Sequence, residues 1–239
     1  MGNRKILVSL TSLAAISDMN LSGWRSKIEE INSLGLTEIA LFLTGLGKEE
    51  RKDLYDVLEN TPISSIPHVH LRTDMALDEI DYLSDKYKVE AFNLHSSTEF
   101  PLQYDYGKYA SKIFLENCYV VPGESELQKF GGLCIDFSHW EEKKLENDQN
   151  YCEKMERAVA NYMIGCAHVS AIKDRPIPVV INSKIKEFSS HVLESMHELD
   201  YIKKYKKYLP NIISIELENP IQEQLEAKKY LENIINTVS

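Results

Sequence analysis

Short β-rich runs alternate with amphipathic runs along most of the chain. The first predicted strand covers 5–10. A helix over 21–34 then puts Trp24, Ile28, Ile31 and Leu34 on one face, and Gly35 follows as its C-cap. A second strand over 37–43 leads into a charged helix over 48–58 that turns Leu54, Val57 and Leu58 inward. The third strand is 66–71, the third helix 76–86 and the fourth strand 89–94. The stretch 98–108 is irregular, with a short helix near 106–110. A fifth strand (112–116), a short helix (124–130) and a sixth strand (132–136) come next. A helix over 151–163 buries Met155 and Val159, and the seventh strand is 166–172. Two prolines mark 174–183 as a long loop, and a long helical pattern runs over 190–208. After an eighth strand at 211–217, the last helix opens with Asn219 as cap and Pro220 at the first helical position.

Strands alternating with helices in this way imply parallel pairing and right-handed crossovers. An open doubly wound sheet and a closed barrel both meet that demand. No Gly-rich phosphate fingerprint follows the first strand, which removes the main signal for a dinucleotide fold. Eight strand–helix units in 239 residues suit a (β/α)₈ TIM barrel. No linker or internal repeat divides the chain, so one domain over 1–239 is expected.

Composition narrows the function classes. At 43% hydrophobic residues the chain has material for a large core, which excludes general disorder. A net charge of −10 repels phosphate backbones and argues against nucleic acid as partner. Cys118, Cys134, Cys152 and Cys166 form no CxxC pair, so reduced, mostly buried thiols and a cytoplasmic location are expected. The apolar run after Arg4 and Lys5 faintly resembles a signal peptide, but Ser9, Thr11 and Ser12 dilute it. Ile6 stands where a myristoylation signal needs Ser or Thr, and no segment is apolar enough to span a bilayer.

In a barrel of this kind, chemistry gathers at the carboxyl ends of the strands. His68, His70 and Arg72 share one face of the third strand by its period of two, and the fourth ends in Asn93-Leu94-His95. The fifth ends in Glu116-Asn117 and the sixth in Asp136-Phe137-Ser138-His139. The seventh carries His168 and Ser170, then Lys173, Asp174 and Arg175; the eighth carries Glu216 and Glu218. Each residue alone has an ordinary structural explanation. Their recurrence at the same end of six consecutive strands does not, because buried charges need partners or a metal. His191 and His197 fall in the long helical pattern, as surface or packing residues. The mixture of carboxylates and imidazoles suits one divalent ion, Mn²⁺, Mg²⁺, Co²⁺ or Zn²⁺.

Four patches give the sequence a family resemblance: Phe114-Leu115-Glu116-Asn117, Cys134 to His139, His168 to Asp174, and Ile215 to Pro220. The Asp-x-x-His of the second is the most specific. Together they resemble the xylose-isomerase-like barrel superfamily, which holds sugar-phosphate isomerases and epimerases and the family 2 apurinic-site endonucleases. The resemblance implies that Glu116, Asp136, His168 and Glu216 ligate a metal. It also implies that Glu116 and Glu216 exchange protons with a substrate carbon through an enediolate. His139 would contact substrate or a second metal, and His70, Arg72, His95, Lys173 and Arg175 would position substrate groups.

One departure stands out. The family often has His-x-His on its seventh strand with the second His as ligand, and Ser170 holds that place here. Glu218 also faces the same way as Glu216 and competes with it as ligand.

The expected function is therefore a metal-dependent isomerase or epimerase of carbohydrate metabolism, acting on a small polyhydroxylated substrate. Two rivals are a metal-dependent phosphoesterase and a relative that has lost the metal. A homo-oligomer is compatible with the sequence, which names neither the substrate nor the ion.

Overall fold

Two open-edged halves of the first strand join the sheet into a ring. The computed structural model describes residues 4–12, 23–178 and 186–236. The strand predicted over 5–10 is divided at Val8 into β1 (Lys5–Leu7) and β2 (Ser9–Thr11). β1 pairs with the last barrel strand, β11 (Ile212–Ile215), and β2 with β3 (Glu38–Phe42). Between them run β4 (Ser65–His70), β5 (Ala91–His95), β6 (Ile113–Glu116), β7 (Gly132–Asp136) and β8 (Ile164–Val169). The order around the sheet is β1-β11-β8-β7-β6-β5-β4-β3-β2, and every neighbouring pair is parallel. With β1 and β2 counted as one strand, this is a parallel eight-stranded barrel with its helices outside.

The helices that return the chain are α1 (Trp24–Leu34), α2 (Lys48–Leu58), α3 (Leu77–Tyr87), α4 (Glu124–Leu127), α5 (Phe137–Leu145), α6 (Gln149–Asn161) and α7 (Ile221–Asn236). Gly35 ends α1 in the left-handed region (φ 62°), and its N–H and that of Leu36 close on the carbonyls of Asn32 and Ile31.

Side-chain alternation makes two cores. Outward residues such as Leu10, Leu41, Val69, Phe92, Leu115, Ile135, Val169 and Ile213 pack under the helices. Inside the ring lies a smaller cluster of Leu7, Ala40, Phe42, Ala91, Phe114, Cys134, Cys166 and Ile212. Phe114 fills space that Gly165 leaves free: a Cβ at 165 would lie 2.1 Å from the ring. Towards the carboxyl ends the interior turns polar, with His68, His70, Asn93, Glu116, Asp136, His168, Ser214 and Glu216 all buried.

Several expectations change. The loop predicted over 174–183 is in part a strand: β9 (Ala171–Pro178) pairs antiparallel with β10 (Lys186–Ser190). The centre of that loop, the stretch 13–20 and the predicted helix start at 21–22 lie outside the described residues. The helix expected over 190–208 is replaced by the end of β10, a bend and a 3₁₀ segment, Met196–Tyr208. The backbone N–H groups of Phe188 and Ser189 are held by the Glu142 carboxylate, which draws β10 against α5. α5 itself was not anticipated: Asp136 ends β7 and caps the helix at once, leaving no turn between them. Asn219 does not cap α7; its side-chain amide pairs with the backbone of Leu193 at 2.7 and 2.9 Å.

Candidate metal centre

The polar end of the barrel is built strand by strand. Glu116 closes β6, and Asn117 after it reaches sideways to β7. Its Oδ1 accepts from the Asp136 N–H at 2.9 Å, and its amide donates to the Asp136 carbonyl at 2.9 Å. This extends the β6–β7 ladder by a side chain and fixes Asp136. One Asp136 oxygen then accepts from the N–H groups of Ser138 (2.8 Å) and His139 (3.1 Å) and from the Ser138 hydroxyl, capping α5. The other oxygen, Oδ2, is buried without a hydrogen-bond partner among the described residues.

Glu216 follows β11 and is tied to β8 by its N–H to the Val169 carbonyl at 2.9 Å. On the other side, the Ser9 hydroxyl bonds the Ile215 carbonyl and the Thr11 hydroxyl bonds that of Leu217, so β2 continues the seam by side chains. Glu218 is turned away, against the fully buried Lys27 at 3.0 Å. This pairing separates it from Glu216, which belongs to the central cluster.

Glu116, Asp136, His168 and Glu216 bring their ligand atoms within 4.8 Å of one another. His168 Nδ1 lies 3.4 Å from Glu116 and 3.3 Å from Glu216, and neither of its ring nitrogens makes a hydrogen bond among the described residues. Ser170 is no part of this group: its hydroxyl donates to Ser138 at 2.7 Å. Beside the group, His70 Nε2 (3.1 Å) and His95 Nε2 (3.6 Å) face the other Glu116 oxygen, which also accepts from the Asn93 amide at 2.5 Å. His70, His95 and Glu116 thus form a second cluster that shares Glu116 with the first. His139 Nε2 approaches Asp136 Oδ2 at 3.8 Å, and its Nδ1 faces Glu142.

The electrostatics follow from this packing. Burial resists ionisation of Glu116, yet His168, His95 and His70 hold its carboxyl well below the usual range. Burial also opposes charge on Glu216, but His191 and then His168 bring it down to about 2. His168 is disfavoured as a cation by burial; Glu116 and Glu216 overcome that and raise its pKa well above an ordinary imidazole. His95 is raised in the same way, whereas burial prevails at His70 and lowers it. An imidazolium at His168 therefore sits where a bound cation would balance the same carboxylates.

The remaining expected residues divide. Arg72 lines a cavity of about 130 Å³ with His70, His95 and Phe100, and is paired with Asp74 at 3.0 Å. Lys173 is buried and paired with Glu194 (3.1 Å) and Glu198 (3.0 Å). Arg175 is exposed on β9, outside the cluster. His191 is a correction: it is not helical, and its Nδ1 meets the Glu216 carbonyl at 3.1 Å. Asn93 and His191 are the site residues that sequence reasoning passed over. Asn93, two residues before His95 on the same strand, was a strand-end signal, but His191 lay in a run whose spacing mimics a helix.

These observations define a (β/α)₈ barrel with a rim of acids and imidazoles at the carboxyl ends of its strands. No family model and no curated protein matches the sequence. The fold does match a solved structure, described as a xylose isomerase-like TIM barrel protein from Mycobacterium smegmatis in complex with magnesium. The two superpose with a TM-score of 0.51 over 98% of each chain at 8% identity. The chain therefore has the xylose isomerase-like TIM-barrel fold. No helix among the described residues is long and apolar enough to cross a membrane.

Proposed function

We propose that this protein is a metal-dependent enzyme that shifts a proton between adjacent carbons of a small polyhydroxylated carbonyl compound, as sugar isomerases and epimerases do. The observation that carries this reading is the convergence of Glu116, Asp136, His168 and Glu216 from four neighbouring strand ends. The donor set fits a divalent ion. Three carboxylates with one imidazole suit a hard or borderline cation, and Asp136 Oδ2 and the His168 nitrogens are buried polar atoms without hydrogen bonds. The magnesium of the Mycobacterium smegmatis barrel makes Mg²⁺ one candidate beside Mn²⁺, Co²⁺ and Zn²⁺.

When bound, the ion supplies polarisation of the substrate carbonyl and its neighbouring hydroxyl. The chain supplies the rest. Glu116 and Glu216 serve as ligands and as the groups that take up and return the proton. His70 and Asn93 hold the Glu116 carboxylate in place. Arg72 and His95, on the wall of the adjoining cavity, meet substrate oxygens. His139 stands beside Asp136 to do the same on the opposite side.

A second reading, phosphoester hydrolysis, is favoured by the His70–His95–Glu116 group, which would let Glu116 bridge two ions. One experiment separates them. Metal-loaded protein is incubated in D₂O with ketoses, aldoses and their phosphates, and spectra record deuterium entering carbon next to the carbonyl. Exchange that disappears in Glu216→Gln supports the first reading. Release of phosphate, or cleavage of a phosphodiester, without exchange supports the second. Failure of the Glu116–Asp136–His168–Glu216 cluster to bind a divalent ion refutes both and identifies a barrel that has lost its rim metal.

A further inference from the structure

Directly beneath the acidic rim lies a layer of different chemistry. Cys134 precedes Asp136 by two residues on β7, Cys166 precedes His168 by two on β8, and His68 precedes His70 by two on β4. Residues two apart on a strand face the same way, so these three also point into the barrel. Cys134 and Cys166 are register partners across β7 and β8. All three side chains have 0% exposure, and their ligand atoms, two Sγ and one imidazole nitrogen, lie within 4.8 Å of one another.

The histidine is prepared as a ligand. Its Nδ1 is held by the Ser214 hydroxyl of β11 at 2.7 Å, while Nε2 is buried with no hydrogen-bond partner among the described residues. A ring nitrogen fixed by an oxygen, with its opposite nitrogen left open, is the arrangement that orients metal-binding imidazoles. The Phe42 and His68 rings pack in a T-shaped pair at a centroid distance of 6.0 Å.

We propose that His68, Cys134 and Cys166 form a separate site for a soft divalent ion, zinc in particular, inside the barrel. Sulfur donors select against Mg²⁺ and Mn²⁺, which keeps this site chemically distinct from the carboxylate cluster above it. Two thiolates neutralise a divalent ion, whereas a monovalent copper ion would leave a net negative charge in a dry interior close to Glu116. Zinc bonds of about 2.3 Å to sulfur and about 2.0 Å to nitrogen bring the three donors together with small side-chain movements. Such an ion ties β4, β7 and β8 across the barrel, directly under the strand ends that carry His70, Asp136 and His168.

The test uses Co²⁺ as a spectroscopic stand-in for zinc, in full-length protein produced in zinc-depleted, cobalt-supplemented medium and kept in excess Mg²⁺. Thiolate-to-cobalt charge transfer gives an ultraviolet band that carboxylate and imidazole ligands do not produce, so the readout is blind to the rim. The expected result is a stoichiometric band that survives in Asp136→Asn and in Cys152→Ser and is lost in Cys134→Ala and in Cys166→Ala. X-ray absorption on wild-type protein, which requires no variant to fold, then shows two sulfurs per sulfur-bound cobalt. Absence of the band in folded wild-type protein overturns the proposal. So does a band that persists in both Cys134→Ala and Cys166→Ala, because it would belong to Cys118 or Cys152.

Discussion

Asp136 performs two tasks with two oxygens, and replacing it by Asn separates them. Oδ1 caps α5 through Ser138 and His139, and Oδ2 faces the carboxylate–imidazole cluster. Asn is as good a cap as Asp, so Asp136→Asn keeps the cap and forfeits only the charge at the helix N-terminus, about 0.3–1 kcal/mol. Asp136→Ala removes the acceptor as well and costs a further 0.5–2 kcal/mol or so. Metal affinity behaves differently. Changes to groups behind the ligands cost about 10–100-fold, so losing one of four ligands is expected to cost at least about 100-fold.

At a Mn²⁺ concentration 100 times the wild-type Kd, binding stabilises the native state by about 2.7 kcal/mol; after a 100-fold loss the same concentration gives only about 0.4 kcal/mol. For a chain of this size 1 kcal/mol moves Tm by about 2–4 °C. Thermal denaturation with and without Mn²⁺ should therefore show a metal-induced rise of about 5–10 °C in wild type and about 1 °C in Asp136→Asn. Without metal the two melting curves should nearly coincide. A metal-induced rise in Asp136→Asn equal to that of wild type would show that Oδ2 does not face the ion and would refute the ligand assignment.

Three further outcomes are expected. Lys27→Met leaves Glu218 buried without its cation and should cost about 3–5 kcal/mol in denaturant unfolding, while Lys27→Met combined with Glu218→Gln should recover much of that loss; a double variant as unstable as the single one contradicts the pairing. Gly165→Ala drives a methyl into the Phe114 ring and should destabilise by about 1–3 kcal/mol, with partial recovery in Gly165→Ala/Phe114→Leu. Glu142 has a pH signature. Burial resists its ionisation, but His139 and the N–H groups of Ser189 and Phe188 bring its pKa from 4.5 to about 2. Its contribution, on the order of 3 kcal/mol, is complete above pH 4.5 and is lost as pH falls towards 2, so Glu142→Gln should flatten the acid limb of the stability curve over that window.

The strands could be read from the sequence because a barrel interior and its helix-covered outside impose a simple alternation. The strand-end acids Glu116, Asp136 and Glu216 could be read because they broke that alternation where a polar rim would fall. Physical context hid the rest. Phe188 is the only large apolar residue of β10, and the strand is held by Glu142 from α5, a contact 46 residues away that no local pattern announces. The 3₁₀ segment 196–208 buries Leu199, Ile202 and Tyr205 three residues apart, and each neighbouring pair at that spacing also shares a face of an α-helix. Glu216 and Glu218 were equivalent by period alone, and the choice between them rests on Lys27, 191 residues from Glu218 in the chain. His68, Cys134 and Cys166 belong to three strands and carry no common spacing.

The division of the first strand at Val8 has a consequence for how the molecule is made. β1 and β2 turn their backbones to opposite neighbours, and one of those neighbours, β11, leaves the ribosome after every other strand of the ring. Until then the growing sheet has two raw edges, each able to recruit a foreign strand. Glu216 arrives on that same closing segment, so a nascent chain has no complete cation-binding rim before the ring is sealed.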